Sequence, residues 1–181
     1  MRFLIASDIH GSAYYTKKLI NTFEIEGADR LIILGDILYH GPRNELPKEY
    51  SPKDVAAMLN PMASRILAVR GNCDADVDQM VLQFPMMAKY ALLPVKERLV
   101  FITHGHTYNL DNLPPLSKGD ILLHGHTHLP TAEERDGIIY MNPGSVSIPK
   151  NPEGSSYMIL ENGVFTWKTI DGNVFKEYEI N

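Results

Sequence analysis

Three short apolar runs separated by two segments of helical spacing open the chain, and this alternation constrains the fold more than any other feature. The runs extend from Phe3 to Ser7, from Leu31 to Leu34 and from Ile66 to Val69. Continuous apolar runs of this length are typical of strands that are buried on both faces. A β-α-β-α-β order favours parallel pairing with right-handed crossovers. The sequence therefore predicts a parallel sheet at the start of an α/β fold.

Two predicted helices connect these strands. Apolar side chains recur at helical spacing from Ala13 to Glu26, and Ser12 precedes them as an N-cap. A second helix extends from Pro52 toward Leu59, with Ser51 as its N-cap and the proline in the first helical position. The irregular stretch from Tyr39 to Ser51 is long, which indicates a functional or a mobile loop.

The second half of the chain is richer in strands. Six short runs are predicted: Leu99 to Thr103, Ile121 to His124, Ile138 to Met141, Tyr157 to Leu160, Val164 to Ile170 and Val174 to Ile180. Asn162-Gly163 and Asp171-Gly172-Asn173 are typical hairpin turns. One sheet with all these strands would be very wide, so we expect two mixed sheets packed face to face with helices outside.

Composition excludes several classes of protein. The chain has 181 residues, of which 44% are hydrophobic and 22% charged, as in one ordinary globular domain. Its net charge of -5 makes duplex nucleic acid an unexpected partner. The single cysteine, Cys73, cannot form an internal disulfide, so we predict a cytoplasmic location. No apolar stretch approaches the roughly 20 residues that span a membrane, and the first run is too short for a signal peptide.

Residues that bind metal ions follow five of the predicted strands. The motifs are Asp8-Ile-His10, Gly35-Asp36, Gly71-Asn72, His104-Gly-His106 and Gly125-His126-Thr-His128. In an open α/β sheet, ligands collect at the carboxyl ends of the strands. Because each motif lies at such an end, folding can bring them together. The sequence therefore predicts a two-metal centre along one sheet edge.

The candidate ligands combine carboxylate, amide and imidazole groups. They are Asp8, His10, Asp36, Asn72, His104, His126 and His128. This set suits Mn²⁺, Fe, Zn²⁺ or Mg²⁺, and manganese is our first choice. Two carboxylates contribute about -2 against about +4 from two divalent ions, so the centre should attract an anion. Such ions, about 3.5–4 Å apart, can activate water and stabilise an in-line displacement, which predicts phosphoester hydrolysis.

The ordered motifs resemble the calcineurin-like metallophosphoesterase superfamily. Residues 36–44, 70–74 and 142–149 also resemble its small bacterial YfcE-type phosphodiesterases. The resemblance implies an α/β fold with a four-layer αββα sandwich, in which two mixed β-sheets lie face to face and helices flank them, as one metallophosphoesterase domain over residues 1–181.

The same resemblance assigns roles to the candidate ligands. It implies a first metal ion held by Asp8, His10 and His128. It implies a second ion held by Asn72, His104 and His126, with Asp36 bridging both. The nucleophile would be a hydroxide between the ions.

One position departs from the superfamily pattern. Many members follow the motif asparagine with a histidine that contacts the phosphate or helps to protonate the leaving group, and this position is Cys73 here. A thiol is a poorer hydrogen-bond partner and general acid. The departure favours diesters over monoesters, with help to the leaving group from His106 or water. The catalytic candidates are thus Asn72, Cys73 and His106, although Cys73 is favoured as a wall of the site.

Other residues near the motifs have structural alternatives. Arg43 either binds phosphate in bidentate fashion or is a solvated cation on a long loop. Asn72 keeps N–H donors free for the phosphate when its oxygen binds a metal. His124 is favoured as a strand residue with a satisfied hydrogen bond. The segment Asn142-Pro143-Gly144-Ser145 is a tight turn or places a backbone or hydroxyl group near the metals.

Two further functions share the fold or the chemistry. A retromer subunit of this fold is a binding scaffold with a degraded metal site, whereas every ligand position is filled here, which favours an enzyme. A nuclease would need a basic groove, and the acidic balance counts against it. We therefore expect a dinuclear-metal phosphodiesterase that acts on a small phosphodiester, and we leave a homo-oligomer open.

Overall fold

Two β-sheets pack face to face in the computed structural model, which describes residues 1–180. The strands are β1 (Phe3–Ala6), β2 (Arg30–Ile33), β3 (Ile66–Ala68), β4 (Tyr90–Val95), β5 (Arg98–Thr103), β6 (Ile121–Leu123), β7 (Thr131–Arg135), β8 (Ile138–Asn142), β9 (Ser156–Glu161), β10 (Val164–Thr169) and β11 (Val174–Glu179). The helices are α1 (Ala13–Ile25), α2 (Pro52–Leu59) and α3 (Asp76–Val81), with a 3₁₀ helix at Asn60–Arg65.

Both sheets are mixed. The first has the order β11-β10-β9-β1-β2-β3, and the second has the order β4-β5-β6-β8-β7. β1 pairs in parallel with β2, and β2 with β3. In the second sheet β5, β6 and β8 are parallel, whereas β4 and β7 are antiparallel edges. The prediction of two mixed sheets in an α/β fold is confirmed.

Strand periodicity divides the apolar side chains between layers. In β1, Leu4 and Ala6 face the helices, whereas Ile5 faces the second sheet. The contact between the sheets includes Trp167, whose indole nitrogen donates to the carbonyl of Asn142 at 2.7 Å. Because successive side chains of a strand point to opposite faces, each buried run supplies two layers at once.

The two outer layers differ. Helices α1 and α2 cover the first sheet and pack against each other. Over the second sheet, Phe101 and Tyr140 pack against Tyr108 and Leu116, which lie in the loop between β5 and β6. The expectation of helices outside both sheets named no helix in this segment, and here a loop covers the second sheet. Its sequence contains Pro114-Pro115 and two asparagines, which disfavour helix formation.

The predicted helix starts are correct, but one cap differs in detail. The Ser12 hydroxyl accepts a hydrogen bond from the Tyr15 backbone at 3.2 Å, as an N-cap should. The Ser51 hydroxyl instead donates to the Asp54 carboxylate at 2.7 Å. Among the described residues, no helix combines the length and hydropathy that a membrane crossing requires.

Candidate metal centre

The loops that follow five strands meet at one edge of the two sheets. Backbone hydrogen bonds tie these loops together: the His10 amide donates to the Asp36 carbonyl at 2.9 Å, and the Gly125 amide to the His104 carbonyl at 2.8 Å. The Asp8 carboxylate accepts from the His126 amide at 3.1 Å, which joins the first sheet to the second. The candidate ligands therefore come together as the strand-end argument predicted.

A buried cluster is formed by Asp8, His10 and His128. One ligand atom from each residue lies within 4.8 Å of the others. The Asp8 Oδ1 atom is 3.2 Å from His128 Nε2 and 3.6 Å from His10 Nε2. All three side chains are buried, so this cluster lies at the floor of the site.

A second cluster is more open. The Asn72 side-chain oxygen lies 3.0 Å from His104 Nε2, and the rings of His104 and His126 are 5.1 Å apart between centroids. His104 is buried, His126 is half-buried and Asn72 is exposed. This half of the centre is therefore the more exposed to solvent.

Asp36 lies between the two clusters. Its Oδ2 atom is 3.7 Å from His10 Nε2 and 3.4 Å from His104 Nε2. Its other oxygen accepts a hydrogen bond from the Cys73 amide at 2.8 Å, which fixes the rotation of the carboxylate. One carboxylate oxygen thus faces candidate ligands from both halves.

Backbone carbonyls orient three of the histidines. The Nδ1 atom of His10 is 2.9 Å from the Tyr39 carbonyl, that of His104 is 2.7 Å from the Leu34 carbonyl, and that of His128 is 2.7 Å from the Ile148 carbonyl. A carbonyl only accepts, so Nδ1 carries the ring proton. In the neutral rings the Nε2 lone pairs then face the carboxylates, which is the usual arrangement of metal-binding histidine.

A cation fits the space between these groups. The Asp8 Oδ1 atom is buried and has no hydrogen-bond partner among the described residues. The Nε2 atoms of His10 and His128 are 3.3 Å apart beside it. With the ring protons on Nδ1, lone pairs face lone pairs, which is costly unless positive charge compensates. The donor set and its geometry therefore fit a divalent ion.

Protons compensate the carboxylates in part. Burial alone would raise the pKa of Asp8, but the neighbouring imidazoles of His10 and His128 and the charge of His104 hold this pKa well below its usual range. Burial lowers the pKa of His104, yet the hydrogen bond to Asp36 and the charge of Asp8 raise it to about 9. A divalent ion would supply the same positive charge, so metal binding should release protons.

The ligand loops contain strained backbone. Positive φ angles occur at Asp8 (59°), His10 (51°), Asp36 (53°), His126 (67°) and His128 (63°). Residues other than glycine rarely adopt this region, at a cost of order 1 kcal/mol or more each, and such strain clusters at functional sites. No sequence pattern indicated these backbone conformations.

Two motif glycines are required by close packing. A Cβ atom at Gly71 would overlap the backbone nitrogen and side chain of Asp36. A Cβ atom at Gly125 would overlap the Ser7 hydroxyl and approach Asp8. These glycines let the ligand loops of neighbouring strands approach each other.

Asp74 supports the centre, a role that the sequence did not reveal. This buried carboxylate accepts hydrogen bonds from the backbone amides of Asp36 at 2.9 Å, Ile37 at 2.8 Å and Gly71 at 2.7 Å. Burial raises its pKa, although these amides oppose the effect. Asp74 joins the loops after β2 and β3. The only sequence signal was an acidic residue shortly after Gly71-Asn72.

The segment after β8 supports the loop of Asp8. The hydroxyls of Ser145 and Ser147 donate to the Asp8 carbonyl at 2.9 and 3.0 Å. The Asn142 side chain donates to the Gly125 carbonyl at 2.7 Å. The alternative in which this segment brings a hydroxyl near the centre thus has a structural basis, because the hydroxyl binds the backbone of a candidate ligand.

A cavity of about 420 Å³ opens over the centre. Five candidate ligands line it: His10, Asp36, Asn72, His126 and His128. Residues 41–44, Cys73 and Lys150 complete the lining. Arg43 is therefore at the cavity, as a phosphate-binding role requires, and its side chain is exposed. Sequence reasoning missed Lys150, an isolated lysine outside every motif.

The remaining candidates lie around this cavity. Burial, followed by the charge of Asp36, raises the pKa of Cys73 to about 12, so its thiol stays protonated at neutral pH. His106 is exposed beside His104, with 5.4 Å between the ring centroids, and lies outside the cavity lining. His124 Nδ1 is 3.0 Å from the Gly125 carbonyl, and burial lowers its pKa, which fits a structural role.

Two mixed sheets with aspartates, histidines and an asparagine at their shared edge have the architecture of the metallophosphoesterase class. The sequence profile of the calcineurin-like phosphoesterase superfamily domain matches residues 1–163, and the chain belongs to this superfamily.

Comparisons with individual proteins agree with this membership. Phosphodiesterase YfcE of Escherichia coli (strain K12) is 47% identical over 182 residues, which cover 100% of this chain and 99% of that protein. The solved structure of YfcE, described as a phosphoesterase from E. coli, superposes with a TM-score of 0.95 at 46% identity and full coverage of both chains. Vacuolar protein sorting 29 from Cryptosporidium parvum shares the fold, with a TM-score of 0.62 at 18% identity over 98% of this chain and 97% of that one.

Proposed function

We propose that the protein is a phosphodiesterase that hydrolyses small phosphodiesters with two divalent metal ions. The observation that carries this proposal is the position of Asp36 between the two clusters of candidate ligands. The ions would be held by Asp8, His10 and His128 on one side and by Asn72, His104 and His126 on the other. When bound, such ions make water nucleophilic and stabilise the oxygens of the phosphate.

Manganese is the ion that we propose. Hard oxygen donors from Asp8, Asp36 and Asn72 are combined here with imidazole nitrogens, and no thiolate is needed. This mixture suits Mn²⁺, while Zn²⁺, Fe and Mg²⁺ bind related sets. The unpartnered oxygen of Asp8 supports a resident cation independently of its identity.

The residues of the chain would bind and orient the phosphate. Asn72 is exposed at the cavity, and its amide N–H groups remain available when its oxygen binds a metal. Arg43 is exposed on the loop that lines the same cavity and would bind a phosphate oxygen by charge-assisted hydrogen bonds. Together they would hold the phosphate over Asp36.

A preference for diesters follows from the chemistry of Cys73, which lines the cavity beside Asn72. A thiol is a poorer hydrogen-bond partner and a poorer general acid than imidazole, so it gives little help to a poor leaving group. His106 is the nearest alternative acid, but it lies outside the cavity lining. Cys73 would thus act as a wall of the site, and help to the leaving group would come from His106 or water.

Metal removal tests the proposal directly. The protein is stripped with a chelator, reloaded with Mn²⁺ and assayed on bis-(p-nitrophenyl) phosphate and p-nitrophenyl phosphate. We expect activity to disappear on stripping, to return with Mn²⁺ and to be greater on the diester. If neither ester is cleaved with Mn²⁺, Zn²⁺, Mg²⁺ or Fe²⁺, the proposal is wrong. A better rate on the monoester would refute the role given to Cys73.

Several broader expectations remain predictions. A binding scaffold of this fold would have a degraded metal site, whereas all seven ligand positions are filled in this chain. The nuclease alternative would need a basic groove, which the net charge of -5 disfavours. A single domain over residues 1–181, a cytoplasmic location and self-association also stay predictions.

A further inference from the structure

Two cations face the cavity without a carboxylate partner. Six other basic side chains are paired with acidic groups: Arg2, Lys18, Arg65, Arg70, Lys96 and Lys168. Within residues 1–180, neither Arg43 nor Lys150 forms such a pair. Asp36, a candidate metal ligand, is the only carboxylate in the cavity lining. The positive charge is therefore available to a ligand.

Arg43 and Lys150 belong to different walls of the cavity. The loop of Arg43 packs against Cys73. The approach is close at Gly41, where an added Cβ atom would lie 3.0 Å from the Cys73 sulfur. The Lys150 amide donates to the His128 carbonyl at 3.2 Å, and the Ile148 carbonyl accepts from the His128 ring at 2.7 Å. The backbone of Lys150 is thus held beside His128 of the buried cluster.

The charge at the cavity exceeds what one diester needs. Two divalent ions with Asp8 and Asp36 leave a net charge of about +2, and a phosphodiester group carries about -1. Arg43 and Lys150 add two positive charges at the mouth, in a protein whose net charge is -5. Local positive charge of this kind attracts and orients anions.

From these observations we infer that Lys150 forms a second anion subsite, separate from the scissile phosphate that Arg43 and Asn72 would hold. The preferred substrate is a phosphodiester that carries a further phosphate group on one of its substituents. The scissile phosphate lies over Asp36, and the additional phosphate reaches the mouth of the cavity near Lys150. This inference rests on the proposed phosphodiesterase function and names a substrate class for the same site.

Two substrates that differ by one phosphate test the subsite. Thymidine 5′-(p-nitrophenyl phosphate) and its 3′-phosphorylated form release the same p-nitrophenol from the same diester. With Mn²⁺-loaded enzyme at low salt, we expect kcat/KM to be about fivefold higher for the 3′-phosphorylated form, because exposed charge pairs contribute a few-fold each. The preference should appear mainly in KM and shrink at high ionic strength.

Variants of Lys150 assign the preference to this residue. Lys150→Gln should reduce the ratio of the two kcat/KM values to about twofold or less, whereas Lys150→Arg should retain it, because only the former removes the charge. Lys17→Gln, on the exposed face of α1, is the matched control and should keep the wild-type ratio. A wild-type ratio of one, or the same ratio in wild type and Lys150→Gln, would overturn the subsite.

A binding measurement separates this inference from the proposed function. Calorimetry compares thymidine 3′,5′-bisphosphate with thymidine 5′-phosphate on the Mn²⁺-loaded protein. The subsite is supported if the wild type binds the bisphosphate more tightly and Lys150→Gln weakens this preference, even when no diester is cleaved. Failure to cleave any diester would in that case refute only the proposed function. Equal affinities in the wild type would refute the subsite.

Discussion

Two carboxylates of the protein, the half-buried Glu26 and the buried Asp8, have opposite surroundings. Glu26, at the end of α1, accepts hydrogen bonds from Arg2 at 2.6 Å, Lys168 at 2.7 Å and Tyr157 at 2.7 Å. Asp8, at the strand edge, has a buried oxygen without a hydrogen-bond donor. The first acid is fully compensated by protein groups, whereas the second needs charge from elsewhere.

This contrast indicates that Glu26 contributes to the stability of the fold, whereas Asp8 serves the binding of a ligand. A buried acid that is paired and hydrogen-bonded is tolerated in a folded protein. Asp8 instead lies in left-handed backbone, and its negative charge also opposes the ionisation of nearby Asp36. Such an arrangement costs folding free energy and is typical of a site that binds a ligand. The following predictions test this difference.

The largest effect is expected from Asp36→Asn. The substitution keeps the size of the side chain but removes the charge that faces both clusters. We expect kcat/KM on bis-(p-nitrophenyl) phosphate to fall by more than about 100-fold, beyond the usual effect of residues that only support metal ligands. Asp136→Asn is the matched control, because Asp136 has a similar φ of 55° in an exposed turn. Full activity of Asp36→Asn would exclude the bridging role.

Asp74→Asn tests the support of the ligand loops. An amide cannot accept all three backbone hydrogen bonds as a carboxylate does, so we expect a loss of about 2–3 kcal/mol in the free energy of unfolding. The affinity for Mn²⁺ should also fall about tenfold, since the loops after β2 and β3 are no longer joined. Urea unfolding and a Mn²⁺ titration measure the two effects.

The control for Asp74 is Asp78→Asn. Asp78 accepts one backbone hydrogen bond from Ala75 at the start of α3, at 2.8 Å. We expect this variant to lose no more than about 1 kcal/mol and to bind Mn²⁺ normally. Unchanged Mn²⁺ affinity in Asp74→Asn would show that Asp74 only stabilises the fold.

Glu26→Gln tests the compensated acid. Burial would raise the pKa of Glu26, but hydrogen bonds from Lys168, Tyr157 and Arg2 lower it. The stabilisation by a depressed carboxylate pKa is therefore complete above the unfolded pKa and is lost as the pH falls through the folded one. We expect Glu26→Gln to cost about 1–2 kcal/mol at neutral pH.

The pH dependence of the unfolding free energy tests the role of Glu26 most sharply. The difference in unfolding free energy between wild type and Glu26→Gln should stay constant at neutral pH. It should shrink below the ordinary glutamate pKa of about 4.3, where the glutamate of the unfolded state begins to accept a proton. A difference that grows on acidification would contradict the sign of the shift.

Asp8→Asn should have the smallest effect on the stability of the chelator-stripped protein. The substitution removes a buried charge whose Oδ1 has no hydrogen-bond partner among the described residues, but it also removes the attraction to His10 and His128 that lowers the pKa of Asp8. Because these two effects oppose each other, we expect the free energy of unfolding to change by less than about 1 kcal/mol. With Mn²⁺ present the wild type should be clearly more stable than the variant, because only the wild type gains stability from the ion. A loss in the stripped variant larger than that of Glu26→Gln would contradict the comparison.

Most of the sheet architecture was predictable because buried strands have a local signature. The apolar runs at β1, β2 and β3 were located to within one residue at each end. Strands β4 and β7 were missed. β4 contains Pro94, which disfavours a strand assignment, and β7 consists largely of charged or exposed residues. The short helix α3 was missed because it buries no residue.

The placement of the candidate ligands at the strand ends was predictable, because it depends on residue type and on the order of the motifs along the chain. Their supporting contacts were not. Asp74 and Ser145 act through backbone atoms that are distant in sequence, and Lys150 reaches the cavity only because its loop binds His128. Such roles depend on tertiary packing, which a single sequence does not display.

The most direct test of the account is the number of ions that the centre binds. Chelator-stripped protein is titrated with Mn²⁺ by calorimetry, and the bound metal is counted after removal of free ions. The account predicts two ions per chain in the wild type and fewer than two in Asp36→Asn. One ion or none in the wild type, or two in the variant, would contradict a centre bridged by Asp36.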